Sequence, residues 1–201
     1  MPRQADYKVS ETPAGEDAYT RPAFSFSNRA RRLFWNITWA IFFRLSPRPF
    51  HAWRAMLLRL FGATIGPHSR FYPGAKIWAP WNLFCEDHVA AGDGVEIYNP
   101  SPMYFASHVI LSQDCYLCGA THDYNDPAFP LLAYRMSFGR YAWICARASV
   151  GPGVNVGEGA VLGLGSIATR DLDPWTVSSG NPAAVIRKRN PYPDATPGDP
   201  A

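Results

Sequence analysis

Acidic residues are absent from a long stretch of this 201-residue chain. No Asp or Glu lies between Ala18 and Cys85, although the same stretch contains ten Arg and Lys residues. The net charge of the whole chain is only +3, so the positive charge is concentrated in the N-terminal third. We expect that region to attract anionic partners.

Cysteine is also scarce, and its spacing excludes two classes of protein. The four cysteines do not form the dense, paired framework of a secreted disulfide scaffold. Cys115 and Cys118 make a single C-x-x-C, without the second pair that a structural zinc site needs. We therefore interpret the four thiols as buried side chains and expect no metal.

Long apolar runs are missing as well. The longest run, "LFWNITWAIFFRL" (33–45), has 13 residues, whereas a membrane-spanning helix needs roughly 20. It predicts a buried or interfacial helix. Residues 1–23 are polar and proline-rich, which is typical of a disordered arm, and residues 191–201 predict a flexible tail. We expect a cytoplasmic protein.

A repeat of six residues runs through the C-terminal half. In residues 138–173 the first position of each hexad is apolar and the fifth is mostly small. This period fits neither a helix nor an alternating strand. It predicts an all-β solenoid of short parallel strands whose first and fifth positions point inward. A glycine-rich β-sandwich is the alternative. The first positions are Phe138, Ile144, Val150, Val156, Leu162 and Ala168.

Weaker hexads extend the solenoid toward the N-terminus. They cover residues 65–100 and resume at Leu111 in another phase, so we place an irregular turn within 101–110. The rhythm disappears over 123–137, which predicts an excursion loop. The solenoid is expected to span 63–178, followed by a closing segment over 179–190. In this register Leu117 begins a coil and His122 ends it.

Residues 24–62 predict a basic, aromatic, helical extension. Helices are expected over 29–45 and 48–61, with Ser46 and Pro47 as the N-cap and first turn of the second. One interpretation is a plug for the open end of the solenoid. The other is a peripheral contact of residues 29–61 with an anionic membrane, at its inner face. No motif favours nucleic acid.

Three stretches resemble the hexapeptide-repeat acetyltransferases. They are residues 31–66, "GATHDYNDPAFPLL" (119–132) and "DPWTVSSGNPAAVIRKR" (173–189). The similarity extends to the colanic acid biosynthesis, maltose, galactoside and nodulation-factor acetyltransferases. It implies a left-handed parallel β-helix, a homotrimer with active sites between subunits, and acetyl-CoA as acyl donor. The implied acceptor is a sugar hydroxyl, in exopolysaccharide or other glycoconjugate biosynthesis.

The resemblance assigns the catalytic role to His122, in its "THD" context. A neutral imidazole near pH 7 can remove the proton from a sugar hydroxyl. Asn99 falls where the family contacts the acceptor, and Asp123 is assigned to the same acceptor site. Asp123 could orient the imidazole or equally cap a loop turn. A non-catalytic scaffold at the membrane surface and an enzyme with an amine acceptor remain open.

The resemblance also implies a binding cleft for CoA. Ala146 and Leu164 depart from the family's usual residues there, and Leu164 could narrow the cleft. Metal hydration chemistry like that of the γ-class carbonic anhydrases is not expected, because no two histidines are close in sequence. The residues assigned to CoA are Trp143, Ala146, Gly163, Leu164, Thr169, Arg170 and Arg187.

Overall fold

The computed structural model describes residues 7–9 and 23–192, and most of its chain winds into a parallel β-solenoid of about six turns. The turns, or coils, contribute short strands to three faces. Neighbouring coils pair in parallel register, as Thr64 with Phe84 and Tyr116 with Glu96. The predicted six-residue repeat is therefore one side of the coil.

The strands of the first face are Thr64–Ile65, Leu83–Cys85, Met103–Phe105 and Met136–Phe138. The second face consists of Arg70–Phe71, Ala90–Ala91, Ile110–Leu111, Trp143–Ile144, Val161–Leu162 and Thr176–Gly180, closed by the antiparallel strand Ala183–Lys188. The third face contains Lys76–Ile77, Glu96–Tyr98, Tyr116–Cys118, Ser149–Val150 and Ile167–Ala168.

The hexad positions pack as the sequence predicts. All six first positions between Phe138 and Ala168 are at most 2% exposed. The fifth positions are also buried, including Ala142, Ala148 and Ala160. Both sets form one continuous core through the prism. Replacing one of these alanines with a side chain that is larger by more than about one methyl group would overpack this core.

Two details of the register differ from our expectation. The first irregularity comes before residues 101–110: the path from Ile77 to Cys85 adds two residues to the repeat and contains a 3-10 turn, Pro80–Asn82. The expected disordered arm is also partly wrong, because Tyr7–Val9 pairs antiparallel with Leu131–Ala133. The rest of the arm and most of the tail lie outside the described residues.

The N-terminal extension forms two helices joined by a bend. Helix α1 spans Phe26–Thr38 and continues as a π-helical segment, Trp39–Phe43, while α2 spans His51–Leu60. The Ser46–Pro47 cap was wrong: α2 has no side-chain cap, and the Ser46 hydroxyl donates to the Phe43 carbonyl instead. No helix in the described part of the chain is long and apolar enough to cross a membrane.

The two helices lie at the open end of the solenoid, and α2 packs against the strands of the first coil. Along the strands, backbone N–H groups of each coil donate to carbonyls of the next coil, so carbonyls along the strands of the first coil have no donor from a preceding coil. Side chains of the cap take that place. The Trp35 and Trp39 indoles donate to Ile77 and Ala75, and the guanidinium groups of Arg54 and Arg59 donate to Phe71 and Ile65.

Arg54 is the most buried of these donors, with 0% exposure. Its guanidinium also donates to the Ser46 hydroxyl and to the carbonyls of Pro47 and Arg48, at 2.6–2.9 Å. Desolvation lowers the pKa of Arg54, against the opposing effect of Asp93. The charge is thus stabilised by oriented carbonyl dipoles within a hydrogen-bonded cage.

We predict that Arg54→Met lowers the free energy of unfolding by about 3 kcal/mol, because buried acceptors lose their donors. Chemical denaturation followed by circular dichroism measures this loss. The control is Arg29→Met on exposed α1 surface, which should change stability by less than about 0.5 kcal/mol. Equal effects of the two substitutions would contradict the proposed role of the cage.

Candidate functional site

His122 lies on a hairpin that leaves the solenoid between the third and first faces. We call this corner of the prism the loop edge. The strand Tyr116–Cys118 belongs to the third face, and the chain then turns outward into Ala120–His122, which pairs antiparallel with Leu131–Ala133. The expectation that His122 ends a coil begun by Leu117 was therefore wrong. The histidine projects from an excursion instead.

The His122 imidazole is held in one orientation by Phe129. Its Nδ1 is 2.8 Å from the Phe129 carbonyl oxygen, and the two rings stack with centroids 4.5 Å apart and planes 9° from parallel. Because a carbonyl oxygen can only accept, Nδ1 carries the proton in the neutral ring. The lone pair is then on Nε2. Such a ring can act as a general base through Nε2.

Two aspartates shape the loop that brings Phe129 to the histidine. Asp123 accepts from the backbone N–H of Asn125 at 3.1 Å, and Asp126 accepts from that of Ala128 at 2.9 Å. These are turn-forming contacts. Phe129 then adopts a left-handed φ of 43°, with its N–H bonded to the Asp126 carbonyl. Asp123 thus caps the loop, the alternative that the sequence left open, and it does not orient the imidazole.

Phe129 is the residue of this site that the sequence analysis missed. No motif assigned it a role, since a backbone carbonyl contact depends on the loop path rather than on residue type. The available signal was the clustering of Asn125, Asp126 and Pro127. That clustering predicted a tight turn and therefore a return of the chain toward His122.

Asn99 is placed differently from its expected role. The side chain is fully buried, and its amide both accepts from the Ala79 N–H and donates to the Ala79 carbonyl, at 2.9 and 2.8 Å. All of this bonding joins two successive coils. The expected contact of Asn99 with the acceptor is therefore wrong, because the side chain is buried. Asn99 has a structural role in the described chain.

The residues assigned to CoA fall in three places on the solenoid. Trp143 and Arg187 line one surface cleft of about 350 Å³ on the second face, with Val161 and Val177 between them. This cleft follows from strand register, because Trp143 pairs with Val161, Val161 with Val177, and Val177 with Arg187. The indole N–H of Trp143 donates to the Ser112 hydroxyl at 2.8 Å.

The other assigned residues lie at two corners. Ala146, Gly163 and Leu164 lie between the second and third faces, where the Ala146 carbonyl accepts from the N–H of Gly165 at 3.0 Å. Leu164 is 73% exposed and projects outward. Thr169 and Arg170 are exposed at the loop edge, the same edge from which the His122 hairpin leaves. Thr169 and Arg170 lie about two coils from that hairpin, and parallel coils are about 4.8 Å apart.

The other histidines also correct an expectation. Sequence spacing gave no close pair, yet His68, His88 and His108 recur one coil apart at a single corner, and their rings stack with centroids 4.8 and 4.7 Å apart. Separation in sequence does not give the distance between these histidines in space, because residues one coil apart in the chain become neighbours. We call this corner the histidine edge.

Comparisons with known proteins identify the relatives of the chain. It is 37% identical to the "Putative colanic acid biosynthesis acetyltransferase WcaF" of Escherichia coli (strain K12), over 83% of this chain and 91% of that protein. No protein-family model matches.

Solved structures agree with this relationship in fold. A galactoside acetyltransferase in complex with coenzyme A superposes with a TM-score of 0.76 and 22% identity, over 83% of this chain and 84% of that one. A maltose O-acetyltransferase from Clostridium difficile 630 gives 0.68 and 19%, over 83% and 90%. The predicted left-handed parallel β-helix is confirmed, and the chain belongs to the hexapeptide-repeat acetyltransferases.

Proposed function

We propose that the protein moves an acetyl group from acetyl-CoA to a hydroxyl of a sugar, with His122 as general base. The observation that carries this proposal is the fixed His122 ring, with Nδ1 bonded to the Phe129 carbonyl and Nε2 free to take a proton. The relatives support the substrate classes, since they are named for colanic acid, galactoside and maltose. A role in exopolysaccharide or other glycoconjugate biosynthesis is part of this proposal.

The reaction follows from the orientation of the imidazole. Acetyl-CoA supplies a thioester, whose carbonyl carbon accepts a nucleophile. His122 Nε2 removes the proton of the sugar hydroxyl as its oxygen bonds to that carbon. When the carbon–sulfur bond breaks, the imidazolium returns the proton to the leaving thiolate. The Phe129 carbonyl stabilises the positively charged ring between these two proton transfers.

The solenoid surface offers suitable groups for the donor. Arg170 at the loop edge and Arg187 beside Trp143 present exposed guanidinium groups, which bind phosphates through paired hydrogen bonds. Thr169 adjoins Arg170. Since Leu164 projects into solvent, it does not block the second face of its own subunit. We assign the pantetheine arm to the backbone near Ala146, Gly163 and Leu164.

We also propose that the active unit is a homotrimer, with each His122 facing a groove formed by a neighbouring subunit. The His122 hairpin protrudes from the solenoid, which is the placement that a site shared between subunits requires. The loop beyond His122 then contributes to the acceptor pocket. Asp123 shapes that loop through its turn, and Asn99 is left out because it is buried.

The test is acetyl-CoA-dependent thiol release with a panel of sugars. We predict that His122→Ala lowers the acceptor-dependent rate by about 10²–10⁴-fold, the usual contribution of a general base. His68→Asn is the control, since it alters an exposed histidine on another corner and should leave the rate unchanged. Equal rates for wild type and His122→Ala would remove His122 from the mechanism. Turnover only with amino sugars would replace the hydroxyl acceptor with an amine.

The N-terminal helices favour a second proposal, a peripheral contact with an anionic membrane. Helix α1 and its π-helical continuation are apolar on opposite sides: Trp35 and Phe43 face the core, whereas Phe34, Ile37 and Ile41 are 65%, 47% and 51% exposed. Trp53 of α2 joins the outward side, because its indole donates to the Phe42 carbonyl. The exposed large apolar side chains here are Phe26, Leu33, Phe34, Ile37, Ile41, Phe42, Leu45, Phe50, Trp53, Met56 and Leu60.

The charge around this apolar surface supports a membrane as its partner. Arg29, Arg31, Arg44 and Arg48 are exposed in the same two helices and their connection, and the segment has no carboxylate. Arginine near an anionic bilayer surface and aromatic side chains at its interface are the usual parts of such a contact. The helices would lie on the surface, as neither is long enough to span it.

Sedimentation with liposomes tests this contact. We predict that wild type sediments with vesicles containing anionic phospholipid at low salt, and less with zwitterionic vesicles. The triple variant Phe34→Ser, Ile37→Ser, Ile41→Ser should remain in solution, whereas Val185→Ser, Ile186→Ser, which alters exposed apolar residues elsewhere, should sediment normally. Failure of wild type to sediment would exclude the membrane. A lower oligomeric state of the triple variant would instead assign the surface to subunit contacts.

A further inference from the structure

The histidine edge is an unusual surface for a solenoid. His68, His88 and His108 occupy equivalent positions in three successive coils, and all have left-handed φ values of 57–64°. Histidine is among the residues that tolerate this backbone region. The coils repeat at about 4.8 Å, which places the three rings one above another. The planes of the His88 and His108 rings are 5° from parallel.

A carboxylate adjoins two of these rings. The Asp87 Oδ2 atom is 2.6 Å from His88 Nδ1, and Asp87, His88 and His108 each present one potential ligand atom within 4.8 Å of the others. Among the described residues no other group of three His, Cys, Asp or Glu side chains meets this condition. Two imidazoles and a carboxylate form a donor set that transition metals bind.

One ring of this group has an unused nitrogen. His108 Nδ1 is buried and has no hydrogen-bond partner. Buried polar atoms in folded proteins are nearly always bonded, so an exception calls for an explanation. Stacking alone explains where the rings lie, but it leaves this nitrogen without a partner. A bound cation would provide one.

The carboxylate is held in place by the next coil. The Ser107 hydroxyl donates to Asp87 Oδ1, and Ser107 N–H donates to Glu86 at 2.7 Å. Outer contacts of this kind orient ligands in metal sites.

We propose that Asp87, His88 and His108 bind a divalent transition metal ion, Zn²⁺, which joins two successive coils. Zinc takes imidazole nitrogen and carboxylate oxygen in tetrahedral sites, and water would supply the fourth ligand. Binding replaces the hydrogen bond between His88 and Asp87 with a bond from each to the ion, and the His88 and His108 rings turn out of their parallel stack, because an imidazole nitrogen binds a metal in the plane of its ring. The site lies on a different corner from the His122 hairpin, and acetyl transfer through His122 does not require it.

The consequence is a stability that depends on zinc. An ion that binds only the folded chain raises its stability with concentration, and this ion links residues from two coils. His68 is left out of the site, although it continues the same stack on the other side of His88. It therefore provides a matched control with the same backbone conformation.

Isothermal titration of the full-length, metal-free protein with Zn²⁺ tests the proposal. We expect one ion per chain and a higher melting temperature in its presence. His88→Asn and His108→Asn, which keep a residue tolerant of positive φ, should each weaken binding by at least tenfold. His68→Asn should bind like wild type. Melting curves without metal establish that each variant is folded.

Cobalt(II) distinguishes this site from the cysteines. Bound at Asp87, His88 and His108 it should give ligand-field bands without thiolate charge-transfer absorption. Thiolate bands, unchanged zinc affinity in both His88→Asn and His108→Asn, or equal weakening by His68→Asn would overturn the proposal. Because none of these measurements uses acetyl-CoA, their outcome is independent of the proposed acetyl transfer.

Discussion

The first coil of the solenoid has carbonyl groups that no preceding coil can satisfy, and the rest of the structure depends on how they are paired. Along the strands, each interior coil donates its N–H groups to the carbonyls of the next coil, so the unpaired acceptors accumulate at the N-terminal end. Unpaired buried carbonyls are costly. The cap provides indole and guanidinium donors in place of a coil, from Trp35, Trp39, Arg54 and Arg59.

This constraint also explains the composition of the N-terminal third. A cap that donates to carbonyls needs N–H groups on long side chains, which favours arginine and tryptophan and gives no place to carboxylates. The helices that hold these donors remain apolar on their outer side as well. The absence of acid that first suggested an anionic partner thus has an intramolecular cause for Arg54 and Arg59. For the exposed arginines, attraction to an anionic partner remains the explanation.

The sequence predicted the regular parts of the molecule and failed where contacts cross between coils. The hexads located the inward residues because each packs in a local, repeated environment. The burial of Arg54 could not be predicted, since its acceptors lie outside its own helix. The proximity of His88 to His108 was missed because it arises from the length of the coil. Asn99 matched a family position, yet its burial depends on the added residues between the third and first faces.

The solenoid and the hairpin position different residues of the candidate site. Coils fix the corners and faces on which Trp143, Arg170 and Arg187 lie, while the excursion orients His122 through Phe129. The proposed acetyl transfer depends most on His122 Nε2 facing the donor thioester. A crystal structure of the protein with bound CoA tests this directly. We predict the CoA sulfur within about 3.5 Å of Nε2, or one water away. A sulfur atom beside another side chain, remote from His122, would contradict the account.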